Sequence, residues 1–193
     1  MRIAEKKDKV KVISILCKSF RDNQSVNYLV KQDKYKRKRA VGLMDYSYES
    51  CKLNGQVYLS DDENACALVQ YMDLKPPLFK AALLDIKLII STIGIGNIFK
   101  ALKRQSTIKG YYPEGSKLYL WYIGVDPAKQ GVGIGSRLLN EVMEKEGEKF
   151  ETICLETSTP LNVPWYQNHG FELYGQTDDF GFPFYFFKRS RTA

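Results

Sequence analysis

A glycine-spaced turn between a predicted strand and a predicted helix is the part of this chain that most directly indicates chemistry. Gly131, Gly133 and Gly135 alternate with Val132 and Ile134. Because glycines carry no side chain, backbone N–H groups in such a turn can approach a ligand closely. The N-terminal end of the following helix favours a negative charge at the same place. The turn therefore predicts a site for an anionic group such as a pyrophosphate.

Two kinds of phosphate-binding fold can contain such a turn. A dinucleotide fold has the pattern G-x-G-x-x-G directly after a strand, with an acidic residue about 20 positions later. Gly131 and Gly133 fit that pattern, and Glu156 falls near the acidic position. However, Ser136 replaces the last glycine, residues 126–130 separate the strand from the first glycine, and too little chain follows for a doubly wound sheet. We therefore disfavour a nicotinamide or flavin fold.

The segment Gln130–Gly135 resembles the signature of the GNAT superfamily of acetyl-CoA-dependent N-acyltransferases, which reads Gln/Arg-x-x-Gly-x-Gly/Ala between a strand and a helix. The resemblance covers residues 118–189 and is also carried by Val125-Asp126-Pro127, Leu155-Glu156-Thr157-Ser158, Asn162, Trp165-Tyr166 and Gly170-Phe171. Within the superfamily the chain is most similar to the puromycin-acetyltransferase-like branch. It departs from that branch at Phe187, where methionine is common.

This resemblance implies an α/β (α+β) GNAT fold, with a central mixed, mainly antiparallel twisted sheet flanked by helices. Acetyl-CoA, as cosubstrate, would lie in a cleft between the fourth and fifth strands. A bulge around Trp121 to Val125, made easy by Gly124, would free backbone donors for its pantetheine arm. The residues implied to bind it are Ile123, Gly124, Val125, Gln130, Gly131, Val132, Gly133, Ile134, Gly135, Ser136 and Asn162.

The implied reaction is direct transfer of an acetyl group to an amine of a small molecule or protein, in a ternary complex. An amine with a pKa of roughly 10 is protonated at neutral pH, so a base is needed, and the departing thiolate needs a proton donor. Tyr166 is implied as that donor, or else packs beside Trp165. Glu156 is the candidate base, directly or through water, because a carboxylate in a mostly apolar strand requires an explanation. The alternative for Glu156 is a paired residue at the strand end, and for Asn162 a turn former.

Length and composition predict one domain over residues 1–193, with a helical insertion at about 78–105 that walls the acceptor pocket. The four cysteines are widely spaced and His169 is the single histidine, which predicts reduced thiols and no metal site. The chain does not begin with a secretory pattern, so we expect a cytoplasmic protein. The apolar run of the insertion contains Asp85 and Lys87 and falls short of the roughly 20 residues that span a bilayer. We therefore expect no membrane partner.

The net charge of +7 is concentrated in the first 40 residues, which hold 13 Lys or Arg and four acidic residues. Such a region can bind RNA or an anionic substrate, or it can form solvated helix faces near the entrance for CoA. No RNA-binding motif accompanies it, so we favour the solvated faces and expect no nucleic-acid partner. Two other classes of function stay open, a non-catalytic acyl-CoA-binding sensor and a basic RNA-associated protein. We expect a monomer or a homodimer.

Periodicity and turn residues predict an alternating arrangement of helices and strands. The aromatic residues Tyr46, Tyr48, Phe184 and Tyr185 are candidates for lining an acceptor pocket, and core packing explains them equally well. Helices are predicted at 7–20, 33–53, within 78–102, at 133–147 and 163–168, and strands at 56–60, 65–72, 118–125, 152–157, 171–174 and 183–188.

Overall fold

The computed structural model describes residues 1–191, including every side chain in that range except that of Ile95. The strands are β1 (Arg2–Ile3), β2 (Gly55–Leu59), β3 (Ala65–Tyr71), β4 (Lys117–Val125), β5 (Thr152–Thr157), β6 (Glu172–Thr177) and β7 (Phe184–Ser190). The helices are α1 (Lys9–Ser19), α2 (Gln24–Leu29), α3 (Lys36–Asn54), α4 (Leu78–Leu88), α5 (Ile98–Gly110), α6 (Ile134–Glu146) and α7 (Asn162–Asn168).

The strands form one sheet in the order β1-β2-β3-β4-β5-β7-β6. The β4–β5 pair is parallel and the other pairs are antiparallel. The predicted fold class is therefore confirmed, and a doubly wound parallel sheet is excluded.

Both faces of the sheet are covered, and β3 shows how its sequence serves both of them. Cys66 and Leu68 pack on one side with α1 and α3, while Ala65, Ala67 and Val69 pack on the other side with α6. Because successive side chains of a strand point to opposite faces, a continuous apolar run is what a doubly covered strand requires. The two helical layers thereby hold the central strands from both sides.

The parallel pair β4–β5 is short, and this shapes the centre of the molecule. Residues Lys117–Tyr119 pair with Thr152–Cys154, after which the two strands have no further pairing. The predicted bulge is present in β4 but lies at Trp121, where Leu68 and Val69 pair with Tyr122 and Leu120. This position lies within the stretch from Trp121 to Val125 where the bulge was expected, although not at Gly124 itself. The edge of β4 beyond Tyr119 is left open toward β5.

A helical segment stands between β3 and β4. It contains α4, a wide helical turn at Ile89–Ile93, a tight turn at Ile95–Asn97 and α5. Tyr46 donates a hydrogen bond to Asp85 at 2.8 Å, which ties α4 to α3. Among the described residues, no helix combines the length and the apolar character that crossing a membrane would require.

The structure adds elements that the sequence pattern did not predict. Asn23 accepts a hydrogen bond from the Val26 backbone N–H at 3.0 Å and caps the start of α2, a helix that was not predicted. The second long helix ends at Asn54 as predicted. Gly55 after it is extended, with φ −173°, rather than left-handed. A Cβ at Gly55 would lie 2.0 Å from the Val69 carbonyl oxygen, so close strand approach is the reason for glycine there.

Candidate active site

A cleft of about 800 Å³ opens where β4 and β5 diverge. The glycine turn and the start of α6 form one wall, and α7 with the end of α1 forms the other. Of the residues predicted to bind the cofactor, those that line it are Ile123, Gly124, Val125, Gln130, Gly131, Gly133, Ile134, Gly135, Ser136 and Asn162. Val132 does not line the cleft and is exposed to solvent.

The glycine turn has the conformation that an anion cradle needs. Gly131 and Gly133 have φ values of 82° and 80°, in the left-handed region that glycine adopts without strain. A Cβ at either position would have no atom within 4 Å, so the space in front of the turn is open. Helix α6 begins at Ile134, directly after Gly133. This geometry fits a pyrophosphate at a helix N-terminus.

Gly135 and Gly124 are glycines for a different reason, namely packing. A Cβ at Gly135 would lie 3.2 Å from Val125 Cγ2, and one at Gly124 would lie 3.1 Å from Ser19 Oγ. Their absence lets α6 and the end of α1 approach β4. These two glycines therefore set the width of the cleft.

Side-chain hydrogen bonds fix the segment that precedes the turn. The Val125 carbonyl oxygen accepts from Ser19 Oγ at 2.5 Å and from Gln130 Nε2 at 3.2 Å. Asp126 accepts from Lys18 Nζ at 2.7 Å, and this bond holds the pKa of its carboxyl below the usual range. Gln130 thus acts on the shape of the turn, in addition to lining the cleft.

A narrow chamber of about 60 Å³ extends the cleft inward, between β4 and β5. Its lining shares Ile123, Asn162 and Tyr166 with the cleft. Glu156 and Arg104 line it as well. The structure therefore brings the two predicted catalytic side chains, Tyr166 and Glu156, to one chamber.

Tyr166 is 5% exposed and packs against Phe171 and Phe187. The hydroxyl makes no hydrogen bond to another described residue. In the described structure every fully buried polar side-chain atom has a hydrogen-bond partner, so this hydroxyl is not fully buried. The hydroxyl is therefore reachable from the cleft that Tyr166 lines. Burial raises the pKa of Tyr166, and the nearby Glu156 carboxyl raises it further, so the phenol keeps its proton at neutral pH.

Glu156 has a side chain that is 6% exposed. Its Oε1 accepts a hydrogen bond from Tyr119 Oη at 2.5 Å and one from Arg104 Nη2 at 3.4 Å. Oε2 accepts no hydrogen bond from another described residue, and it is not fully buried. Burial raises the pKa of Glu156, while Arg104 and Tyr119 oppose that rise. One carboxylate oxygen is thus anchored and the other is open to the chamber.

Of three further residues near the site, Asn162 lines both the cleft and the chamber, Ser136 lines the cleft, and Cys154 lines neither. Asn162 is the first residue of α7, and its backbone N–H bonds the Thr159 carbonyl at 3.0 Å, so it also takes part in the turn. Cys154 is buried, and burial raises the pKa of its thiol to about 12, which makes it a poor nucleophile. Ser136 accepts from Trp165 Nε1 at 3.0 Å, which links the cradle to α7.

Sequence reasoning missed the two residues that hold Glu156, and it left open whether four aromatic residues line a pocket or pack in the core. Arg104 lies on α5, 52 positions from Glu156, and Tyr119 lies on the neighbouring strand β4. No local spacing relates these three residues. Of the expected aromatic lining, Phe184 lines the chamber. Tyr48 is instead in the core, and Tyr46 and Tyr185 do not line it.

Residues 94–173 match the family model of the acetyltransferase (GNAT) domain. The structure also resembles an acetyltransferase from Corynebacterium glutamicum related to histone acetyltransferase HPA2, with 19% identity, coverage of 100% of this chain and 96% of that one, and a TM-score of 0.71.

Two further solved structures share the fold. For mosquito arylalkylamine N-acetyltransferase like 5b, identity is 15%, coverage is 98% of both chains and the TM-score is 0.55. For a GNAT acetyltransferase from Brucella melitensis in complex with acetyl-CoA, identity is 14%, coverage is 100% of this chain and 87% of that one, and the TM-score is 0.53. At these identities the likeness shows the GNAT fold.

Proposed function

We propose, from the match of residues 94–173 to the GNAT domain model and from the shared fold, that this chain is a GNAT acetyltransferase that transfers an acetyl group from acetyl-CoA to an amine. The observation that carries the proposal is the convergence of three parts at one place. An open cradle for a pyrophosphate, a protonated phenol at Tyr166 and a carboxylate at Glu156 all meet along the divergence of β4 and β5. Direct transfer needs these three parts within reach of one another.

Acetyl-CoA would supply the activated acetyl thioester. Gly131 and Gly133 would present backbone N–H groups to its pyrophosphate, and Lys129 at the rim adds a positive charge. The open edge of β4 over Ile123–Val125 offers backbone groups to the amide-bearing arm, with Asn162 on the facing wall. The arm would therefore run from the turn toward the chamber.

The two buried side chains would handle protons at opposite sides of the transfer. Oε2 of Glu156 is the free acceptor in the chamber and would take a proton from the attacking amine, directly or through water. Tyr166 would hold a proton at Oη for the departing sulfur. Cys154 offers no covalent route because its thiol stays protonated, which supports direct transfer in a ternary complex.

The shape of the chamber restricts the acceptor. A volume of about 60 Å³ admits the end of a chain and not a whole ring system. We therefore propose a primary amine on a slender carbon chain, from a small molecule or a protein, whose remainder stays in the wider cleft.

We also assign the chain to the puromycin-acetyltransferase-like branch, on the basis of the segment Leu155–Ser158. We assign it to the cytoplasm because its four cysteines are free.

The test is release of free thiol from acetyl-CoA in the presence of a panel of primary amines. We expect turnover with at least one unbranched primary amine, and no turnover with matched tertiary amines. Acetyl-CoA binding without turnover across the panel would favour the sensor alternative. Absence of acetyl-CoA binding would refute both.

A further inference from the structure

The carboxylate of Glu156 is held by a residue from the helical segment between β3 and β4. Arg104 of α5 reaches across to Glu156 with Nη2, at 3.4 Å from Oε1. Its Nε donates to Ser25 Oγ at 3.0 Å, and its guanidinium lies 5.3 Å from the centre of the Phe184 ring. Arg104 is 15% exposed, so both members of the pair are largely removed from solvent.

The Arg104 contacts join elements that are far apart in the chain. Ser25, on α2, donates its backbone N–H to Ser158 Oγ at 3.3 Å, immediately after β5. Arg104 therefore links α5, α2 and the end of β5 around the chamber. An arginine held at two nitrogens and against a ring has little freedom to turn away.

The described structure places several ionisable groups near Glu156. Tyr119 and Tyr122 face it from β4, Tyr112 from the segment before β4, Cys154 from β5, Tyr166 from α7 and Tyr174 from β6. Each of those groups is neutral at neutral pH and becomes negative on ionisation. Among the groups that the described structure places against Glu156, Arg104 is the one that carries a positive charge.

We infer that Arg104 is a positioning residue for acetyl transfer: it keeps Glu156 ionised and anchors its Oε1, so that Oε2 stays available to the acceptor amine. The inference rests on the proposed function. It also makes the segment between β3 and β4 a part of the active site, since without α5 the carboxylate has no cation. Removal of an opposite charge at this range raises a carboxyl pKa by roughly 1–3 units.

The kinetic test compares Arg104→Met and Arg104→Lys with the parent protein. For Arg104→Met we expect the acid limb of the kcat–pH profile to move up by about one pH unit or more, because Glu156 then binds its proton more tightly. Arg104→Lys keeps the charge and is expected to move the limb less. Lys103→Met, on the same helix and outside the chamber, is the matched control. An unmoved acid limb in Arg104→Met would overturn the inference.

Thermal unfolding tests the same pair without relying on activity. When the pKa of a carboxyl is higher in the folded state than in the unfolded state, the folded protein becomes less stable as the pH rises above the unfolded pKa. The melting temperature of Arg104→Met should therefore fall further below the parent at about pH 8 than at about pH 5. In a Glu156→Gln background, Arg104→Met should show no such pH dependence.

The two tests separate failure of the inference from failure of the proposed function. A parent protein that releases no thiol with any amine refutes the proposed transfer. An equal loss of melting temperature at both pH values, with and without Glu156→Gln, shows that Arg104 only fills space. That result would refute the inference whatever the activity of the parent.

Discussion

For each side chain in the chamber, the available chemistry depends on which of its polar atoms have no hydrogen-bond partner. Glu156 has one oxygen occupied by Tyr119 and Arg104, and the other without a partner. Tyr166 has its ring packed in the core and its hydroxyl reachable from the cleft. Packing thus fixes the position of each group, while the unbonded atom remains available for chemistry.

Tyr166→Phe should separate catalysis from binding. The change keeps the ring and its packing but removes the donor, so kcat should fall by at least about tenfold with acetyl-CoA affinity changed no more than a few-fold. Steady-state kinetics and a binding titration measure the two quantities. Tyr46→Phe, outside the cleft, is the control and should leave both unchanged. Parental kcat in Tyr166→Phe would make Tyr166 a packing residue.

Gly133→Asp should abolish acetyl-CoA binding, because the new carboxylate would stand where the cradle holds a pyrophosphate. The control is Gly181→Asp, since Gly181 has nearly the same φ of 81° and equally open surroundings but lies outside the cleft. Both variants place an aspartate at a positive φ of about the same value. A titration with acetyl-CoA should therefore show loss in Gly133→Asp alone. Equal affinity in the two variants would argue against the cradle.

Among the elements, the two central strands decide where a ligand can lie. β4 and β5 pair over three residues, and beyond Tyr119 and Cys154 the two strands have no further pairing. An open strand edge presents unpaired backbone groups. The gap between β4 and β5 makes room for the cleft and for Arg104. The two strands that form the site are therefore also the two whose pairing in the sheet is interrupted.

The direct passage from α3 into β2 gives a prediction about stability. Gly55→Ala would place a Cβ 2.0 Å from the Val69 carbonyl oxygen, so we expect a loss of about 1–3 kcal/mol in the free energy of unfolding. Gly110→Ala, at the end of α5, would meet no atom within 4 Å and should stabilise by about 0.4–1 kcal/mol. Urea unfolding measures both. Equal stabilities would show that β2 and β3 yield at Gly55.

The whole molecule is basic, and much of that charge is neutralised locally. Arg2 pairs with Asp8 and Glu63, Lys9 with Asp45 and Glu49. Lys18, at the cleft, pairs with Asp126. Much of the basic first 40 residues thus holds neighbouring elements together. Lys129, which also lines the cleft, would attract an anionic ligand.

Ligand-induced stabilisation should identify the cofactor class for the whole protein. A ligand that binds only the folded state raises the free energy of unfolding, by about 2.7 kcal/mol at a concentration one hundred times its Kd, and therefore raises the melting temperature. We expect CoA and acetyl-CoA to raise it and NAD and FAD to leave it unchanged. A shift with NAD and none with CoA would revive the dinucleotide interpretation.

From the sequence by itself, periodicity predicted most element positions, because helix and strand patterns can be recognised within a few residues. The glycine spacing predicted an open turn before a helix. The fold class followed from the family resemblance and not from local rules. The sequence also singled out Tyr166 and Glu156, through family resemblance and through a carboxylate in an apolar strand.

Only the tertiary structure decided how Glu156 is held. The Arg104–Glu156–Tyr119 contacts join α5, β5 and β4, and no sequence spacing encodes such a meeting. The bulge at Trp121 and the extended Gly55 were likewise set by the neighbouring strand and not by local propensity. Packing between distant elements determines burial, and burial determines which charge a side chain keeps.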